Sequence, residues 1–485
     1  MKPRKSRASS GIDELRSVAI AGGIVWAIIF IVAGLGFQFQ IFGDGSIFSY
    51  SAAAQDAWAF HFHNISGRVF VYLYSLLPAE TYVALTKDAQ GGIVLYGFLF
   101  FGAQLFGLIG TYAADRSKGR IIFSFACASN ALLGPMVFGA PSEMLIAHAL
   151  FWPALAVSHY PRESFAGHAL VFALLLMLGL SHDGGLVFAI VIGATLSLRG
   201  RRDKVFRRIA VMLAAVILIW AAVKITFPAD HYAAGVIFRA ALRFFSPRVF
   251  TGSLFVLIVA TIAAYGLIVL ALQHLKLEQA YVYAAVIVAV ALGIYWLWFD
   301  QSLHTENRYF LRTIVLLATP VFGLLAAGYL LSAEGRLKLK VPLLPRAMKL
   351  CATGAMVRAA TYAFLLVMLI HAVETAKFIV AWTDYKSAIR ALAMGTASDP
   401  GLGDPRFVSA ERLGEKLNRL SWNSTTLYLS VLLAPDFAPA RLVIDPTGNY
   451  FWLTCRTAAK NLAADRAIPA ASRELIRVFA CQHHN

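Results

Sequence analysis

The chain has 485 residues, 59% of them hydrophobic and 14% charged, with a mean hydropathy of +0.67, which excludes an ordinary soluble domain. Four cysteines exclude a disulfide-rich scaffold and offer no metal-type C-x-x-C pair. The net charge of +17 and pI of 9.8 invite nucleic acid, but in so apolar a chain the positive-inside bias of membrane proteins is the first explanation.

Apolar stretches of spanning length recur from residue 17 to about 381, and lipid leaves helices as the way to satisfy such backbones. The basic start MKPRKSRASSGIDELR is read as cytoplasmic, and the long run after it as an uncleaved first span, residues 17 to 41, directed outward. The first outer loop then covers 42 to 91. Within it VFVYLYSLLPAETYVALTK, residues 69 to 87, is apolar but interrupted by Pro78 and Glu80, and is read as amphipathic or re-entrant helix on the outer interface. Crossing there would carry the basic loop RGRRDKVFRR to the outside.

Ten further spans follow at about 92–114, 120–138, 143–158, 165–181, 186–199, 207–226, 253–273, 279–299, 313–332 and 355–381, eleven in all. On this threading the inside segments hold 22 lysines and arginines and the outside loops 8, which accounts for most of the net charge. Residues 382 to 485 have mixed charge and ordinary composition, and read as a small α/β domain outside the membrane. The expected elements are a helix in AERLGEKLNRL, strand-like runs in TTLYLSVLLA, ARLVIDP and YFWLTC, and a last helix in ASRELIRVFA. Cys455 and Cys481 fall in this tail, where an oxidising compartment would suit a disulfide between them. Cys127 and Cys351 read as structural thiols.

Ionisable residues are costly near lipid, so their placement carries information. They gather at the outer ends of the spans: Asp44, Asp56, His61 and His63 in the first loop, Glu143 in GAPSEM, and His182 with Asp183 in SHDGG. Arg239, Arg243 and Arg248 follow residue 227, and His304, Arg308, Tyr309 and Arg312 follow residue 299. Each has a plain structural alternative. GDGS is a turn sequence, Glu143 and Asp183 are placed to cap helices, and Arg239 and Arg243 share the face of an interfacial helix on which arginines snorkel.

FGDGSIFSYSAAAQDAW after the first span, the helical segment behind it, and the late loop HTENRYFLRTIVLLATP together resemble the C-type membrane glycosyltransferases, the GT-C superfamily. The resemblance implies an all-α polytopic GT-C-like fold with an extracytoplasmic C-terminal domain, residues 1–381 forming the transmembrane domain and 382–485 the second domain. It implies a polyprenyl-phosphate sugar donor, an acceptor that is a lipid-linked glycan, polysaccharide or other envelope component, and inverting transfer on the outer face of a bacterial inner membrane. Many members carry two adjacent acids in the first loop. Here Asp44 and Asp56 stand twelve residues apart, so either is open as the base. Arg308, Tyr309, His304, Arg239 and Arg243 are the candidates for the donor phosphate; Glu143, His182, Asp183, His61 and His63 for sugar or acceptor. A divalent metal, Mg or Mn, would fall to Asp44, Asp56 and His61. A lipid donor needs no nucleotide-binding glycine loop, and none is present. The competing readings are a transporter or flippase of an anionic or lipid-linked precursor, another envelope transferase (acyltransferase or glycan polymerase), and a non-catalytic assembly protein.

Overall fold

The computed structural model describes residues 7–55, 57, 68–227, 242, 250, 252–300, 311–337, 353–396, 407–414, 417, 420 and 425–444. Fourteen helices are used below. They are α1 (Arg7–Gly36), α2 (Asp44–Ala53), α3 (Val69–Thr86, with a π turn over Tyr72–Leu76), α4 (Ala89–Ala114) and α5 (Ile121–Leu133, extended by a 3-10 turn to Val137). Next come α6 (Glu143–His159), α7 (Phe165–Gly179), α8 (Asp183–Ser197), α9 (Lys204–Thr226), α10 (Ser253–His274) and α11 (Ala280–Ile294, continued by a π turn to Phe299). Last are α12 (Arg312–Ala333), α13 (Gly354–Met394) and α14 (Thr426–Leu433). Strands β1 (Phe407–Ser409) and β2 (Leu442–Ile444) pair in parallel, with Phe407 opposite Leu442.

Each of the eleven segments expected to span falls on a helix. Among the described residues, by length and apolarity alone, eight helices can cross a membrane: α1, α3, α4 and α9 to α13; α5, α7 and α8 are shorter. The centre is α6, buried along nearly its whole length between α4, α7, α8 and α12, as expected of a helix apolar on all sides. Helices α9, α10 and α11 bury little of their surface and turn many large apolar side chains outward, the pattern of lipid-facing helices.

The central helices approach through small residues. A Cβ on Gly23 would lie 2.5 Å from the Cα of Cys127, so α1 and α5 cross backbone to backbone, and Asn130 Nδ2 donates to the Gly23 carbonyl at 2.8 Å. Gly23→Ala is therefore expected to force the pair apart and lower stability by about 1–3 kcal/mol, read by thermal unfolding in detergent. A buried chain ties α4, α5 and α6: Gln104 Nε2 donates to the Leu145 carbonyl, and His148 bridges Gln104 Oε1 and Ser129 Oγ at 3.1 and 2.9 Å. His371 Nε2 donates to the Leu132 carbonyl at 3.0 Å, joining α13 to α5. Cys127 is a buried free thiol, as read from the sequence; Cys351, Cys455 and Cys481 lie outside the described residues.

Three local expectations change. Residues 69 to 86, read as amphipathic or re-entrant helix, form one helix, α3, that runs antiparallel along α4, with Ala79 and Val83 against Gly92 and the Tyr74 hydroxyl donating to the Leu99 carbonyl at 2.8 Å. It meets the first part of α4, as far as Leu99, while Gly97 faces Leu35 and Gln40 and Phe101 faces Gly34 at the end of α1. The hairpin α3/α4 thus reaches past the end of α1, because small residues at positions 79, 91 and 92 let the two helices close. TTLYLSVLLA is not a strand but α14, buried on every side against α2, α13 and β2. A short apolar run has no period to separate helix from strand. AERLGEKLNRL begins as a 3-10 turn, Ala410–Leu413, stopped by Gly414 at φ 73°. ARLVIDP does supply β2, while YFWLTC and ASRELIRVFA lie outside the described residues. Helix α13 runs unbroken past residue 382, and Arg441 N donates to its Ala393 carbonyl at 2.9 Å.

Candidate functional site

The sequence between α1 and α2 is fixed before it reaches Asp44. Helix α1 ends with Gln38 in the left-handed region, and its last carbonyls are capped from α13: Trp382 Nε1 and Lys386 Nζ donate to Phe37 O at 2.8 and 2.7 Å. The rings of Phe39, Phe42, Phe138, Phe378 and Trp382 then stack in one cluster, with centroids 5.1–5.7 Å apart for the pairs Phe39 makes with Phe138, Phe378 and Trp382. Gly43 turns the chain at φ 54°, and Asp44 opens α2. Gly45 has no room for a side chain, since a Cβ would lie 2.3 Å from the Gln40 carbonyl and 2.5 Å from Pro141. Asp44 is thereby held against the segment that leads into α6.

At this end of the bundle, the site end, the starts of α2, α6, α8 and α12 meet. A Cβ on Gly184 of α8 would touch Met144 of α6 and Leu316 of α12, and Phe70 N at the start of α3 donates to Leu180 O at 3.2 Å. Glu143, Arg68 and Arg312 consequently lie within electrostatic reach of Asp44. Arg68 Nη1 pairs with Glu143 Oε1, with Glu143 1% and Arg68 11% exposed. Lys224 of α9 pairs with Asp183 at 3.0 Å.

Neither acid that the sequence offered as a cap performs that role. Ser142 caps α6 by accepting from Met144 N, and His182 caps α8, its Nδ1 accepting from Gly184 N at 2.9 Å. Accepting at Nδ1 leaves the proton on Nε2. Burial, together with Arg68, Arg312 and Lys224, holds the His182 pKa well below its usual value, so the ring is a neutral donor.

Asp44 differs from the other acids. Its carboxylate accepts no hydrogen bond among the described residues. Burial first, then the Glu143 charge, push its pKa from 3.8 up to about 7, against the opposing pull of Arg312 and Arg68. A carboxyl poised near neutrality suits proton transfer. The surrounding cations point to an anion. Arg68 precedes the first turn of α3 and Arg312 opens α12, positions where the helix dipole disfavours a positive charge unless negative charge is brought close.

Of the residues singled out from sequence, Asp44, Glu143, His182 and Asp183 converge here. Asp56, His61, His63, Arg239, Arg243, His304, Arg308 and Tyr309 lie outside the described residues. Among the described residues no three His, Cys, Asp or Glu are grouped to hold a metal ion. Arg68, Arg312, Lys224 and Tyr96 had no assigned role; the two arginines could have been found by their positions at the edges of polar loops, whereas Tyr96 sits unmarked in an apolar run. Its hydroxyl is buried with no hydrogen-bond partner among the described residues, within reach of both Asp44 and Glu143. Tyr96→Phe removes that hydroxyl and keeps the ring against Phe48 and Phe100. The expected result is unchanged thermal stability with about a tenfold loss in turnover, the order of one hydrogen bond's contribution.

A second ionic group stands at the same end. Lys377 of α13 meets Asp300 at 2.7 Å and Glu374 at 3.6 Å, and Trp296 Nε1 donates to Glu374 at 2.8 Å. It anchors the point where the chain leaves α11 for the 301–310 segment. At the opposite end Arg199 Nη1 donates to His159 O at 3.0 Å, Tyr160 donates to Glu334, and Asp115 caps the first turn of α5 through Phe123 N at 2.9 Å.

Fold and site together define a multi-pass helical membrane protein with a partly buried acidic and basic cluster at one end of its bundle. Compared with known proteins, the chain matches no family model, and no curated protein is significantly similar to it.

Proposed function

We propose that the chain is a membrane glycosyltransferase of the GT-C type. It transfers a sugar, with inversion, from a polyprenyl-phosphate donor to a lipid-linked, polysaccharide or other envelope acceptor on the outer face of a bacterial inner membrane. The observation that carries this reading is Asp44: a desolvated carboxyl near neutral pKa, with no hydrogen bond among the described residues, beside two arginines. In this mechanism Asp44 takes the proton of the acceptor hydroxyl as its oxygen forms a bond to the anomeric carbon. The bond from that carbon to the phosphate oxygen breaks, and the polyprenyl phosphate leaves with the electron pair and a second negative charge. Arg312 and Arg68 stabilise that growing charge, and His182 Nε2–H and the Tyr96 hydroxyl are placed to hold sugar or acceptor oxygens. Asp44 then returns its proton to solvent.

A transporter reading would need both ends of the bundle to open in turn. The polar ties at the opposite end, from Arg199 to His159 and from Tyr160 to Glu334, favour a rigid base and a single working end. The test is incubation of purified protein with polyprenyl-phosphate sugars and membrane acceptors. Glycosylated acceptor together with free polyprenyl phosphate supports transfer; donor translocated intact across a vesicle would sink it.

A further inference from the structure

Among the described residues of the C-terminal segment, a deeply buried helix packs directly on the Asp44 helix. Helix α14 is inaccessible along nearly its whole length and lies between α13 and α2. Two contacts fix it to α2. Ser46 Oγ, two residues after Asp44, lies 2.9 Å from Gly43 O and 3.2 Å from the Thr425 carbonyl, its one proton shared between them, so one hydroxyl ties the turn before Asp44 to the start of α14. One turn further on, the ring of Tyr50 packs on that of Tyr428 at 5.2 Å, both rings 1–2% exposed. Behind α14, Ser430 Oγ accepts from Val443 N of β2 at 3.3 Å, and β2 is joined to the end of α13 through Arg441 N and Ala393 O at 2.9 Å. A continuous path of contacts thus runs from α13, which also caps α1 through Lys386 and Trp382, through β2 and α14 to α2.

Such burial is more than a tethered accessory domain requires. Helix α2 has ten residues, too few to be stable alone, and it packs elsewhere on α3 and α4. We infer that α14 is a clamp on α2, and that Tyr428, Ser46 and Tyr50 are positioning residues that hold the Asp44 carboxyl in its desolvated place for the transfer reaction. The inference rests on the reading of Asp44 as the base. Among the described residues, the groups that face Asp44 are Glu143 from α6, Arg312 from α12, Arg68 at the start of α3 and the Tyr96 hydroxyl from α4; α14 contributes no charged group and acts through position alone.

The experiment uses the full-length protein carrying Tyr428→Ala, with Tyr428→Leu, which keeps apolar bulk, as the variant to use if the alanine form does not fold. The pH dependence of turnover is measured from pH 5 to 9, together with KM for the donor. Loss of the clamp lets water reach Asp44, so the acid limb moves to lower pH, turnover falls about tenfold and donor KM stays within about twofold. The same shift is read without activity by carbodiimide amidation of Asp44, followed by peptide mass. Only the protonated carboxyl reacts, so the pH of half reaction reports its titration. A folded variant whose half-reaction pH and acid limb both match wild type overturns the clamp. Absence of transfer by the wild type overturns the glycosyltransferase reading instead, and the amidation result still decides the clamp. Tyr50→Ala should shift titration in the same direction, and combining it with Tyr428→Ala should add little, because the two rings form one contact; full additivity counts against the proposal.

Discussion

If Asp44 is the base of the proposed transfer, Asp44→Asn is expected to cut sugar transfer sharply while leaving the protein folded. The amide keeps the shape of the side chain and removes the base, and loss of a positioned general base costs about 10²–10⁴-fold in rate. The structure gives a reason to expect little harm to folding: the Asp44 carboxylate accepts no hydrogen bond among the described residues, and the site around it opposes its charge. The pH dependence follows with a definite sign. A base must be deprotonated to act, and burial together with Glu143 raises Asp44 to about 7, so wild-type turnover should climb between about pH 6 and 8 and level off above. Stability moves the other way. The native state holds the Asp44 proton where the unfolded chain has lost it, so its contribution is complete below the unfolded value of 3.8 and declines as pH rises toward 7. Asp44→Asn should remove that decline. Turnover of the asparagine variant equal to wild type across this range would falsify the assignment.

The second large effect concerns Glu143. Glu143→Gln keeps the size of the side chain but takes the negative charge from the Arg68 pair. With Glu143 1% and Arg68 11% exposed, loss of one partner leaves a guanidinium charge away from water without this carboxylate. Breaking a buried pair from one side costs about 3–5 kcal/mol, enough to consume a large share of a protein's net stability. The double variant Arg68→Met, Glu143→Leu should lose less than Glu143→Gln alone, since both desolvated charges are then gone. Chemical denaturation in mild detergent separates the cases. If the single variant lies within about 1 kcal/mol of wild type, the pair does not hold α3 to α6. The same substitution removes the negative charge that raises Asp44, so any activity it retains should show an acid limb at lower pH.

Asp44 could be singled out from sequence because an acid directly after a long apolar run is expensive wherever the membrane ends. Its isolation from hydrogen bonds could not, since that depends on Gly45 pressing the turn against Gln40 and Pro141. Glu143 and Asp183 illustrate a different limit. Each stands where a cap is expected, yet the neighbouring Ser142 and His182 do the capping, and the acids are engaged by Arg68 and Lys224, which lie 75 and 41 residues away in sequence. Caps are local and legible; ion pairs between distant helices are not. TTLYLSVLLA was read as strand-like for a related reason. Eight residues apolar on every side fit a strand or a buried helix equally, and contact with α2 and α13 decides for the helix.

Composition and the spacing of apolar runs alone determine that this is a helical membrane protein, and they place eleven of its helices, because lipid demands internally bonded backbone in runs of a given length. They also place Asp44 at the end of the first run. What tertiary structure decides is the company Asp44 keeps: Arg68 on Glu143, Arg312 from the start of α12, the Tyr96 hydroxyl, and α14 locked onto α2 from the far end of the chain. Those contacts join residues tens to hundreds of positions apart. They depend on helices crossing at small residues such as Gly23 and on turns fixed by Gly43 and Gly45, and only the packed bundle brings them together.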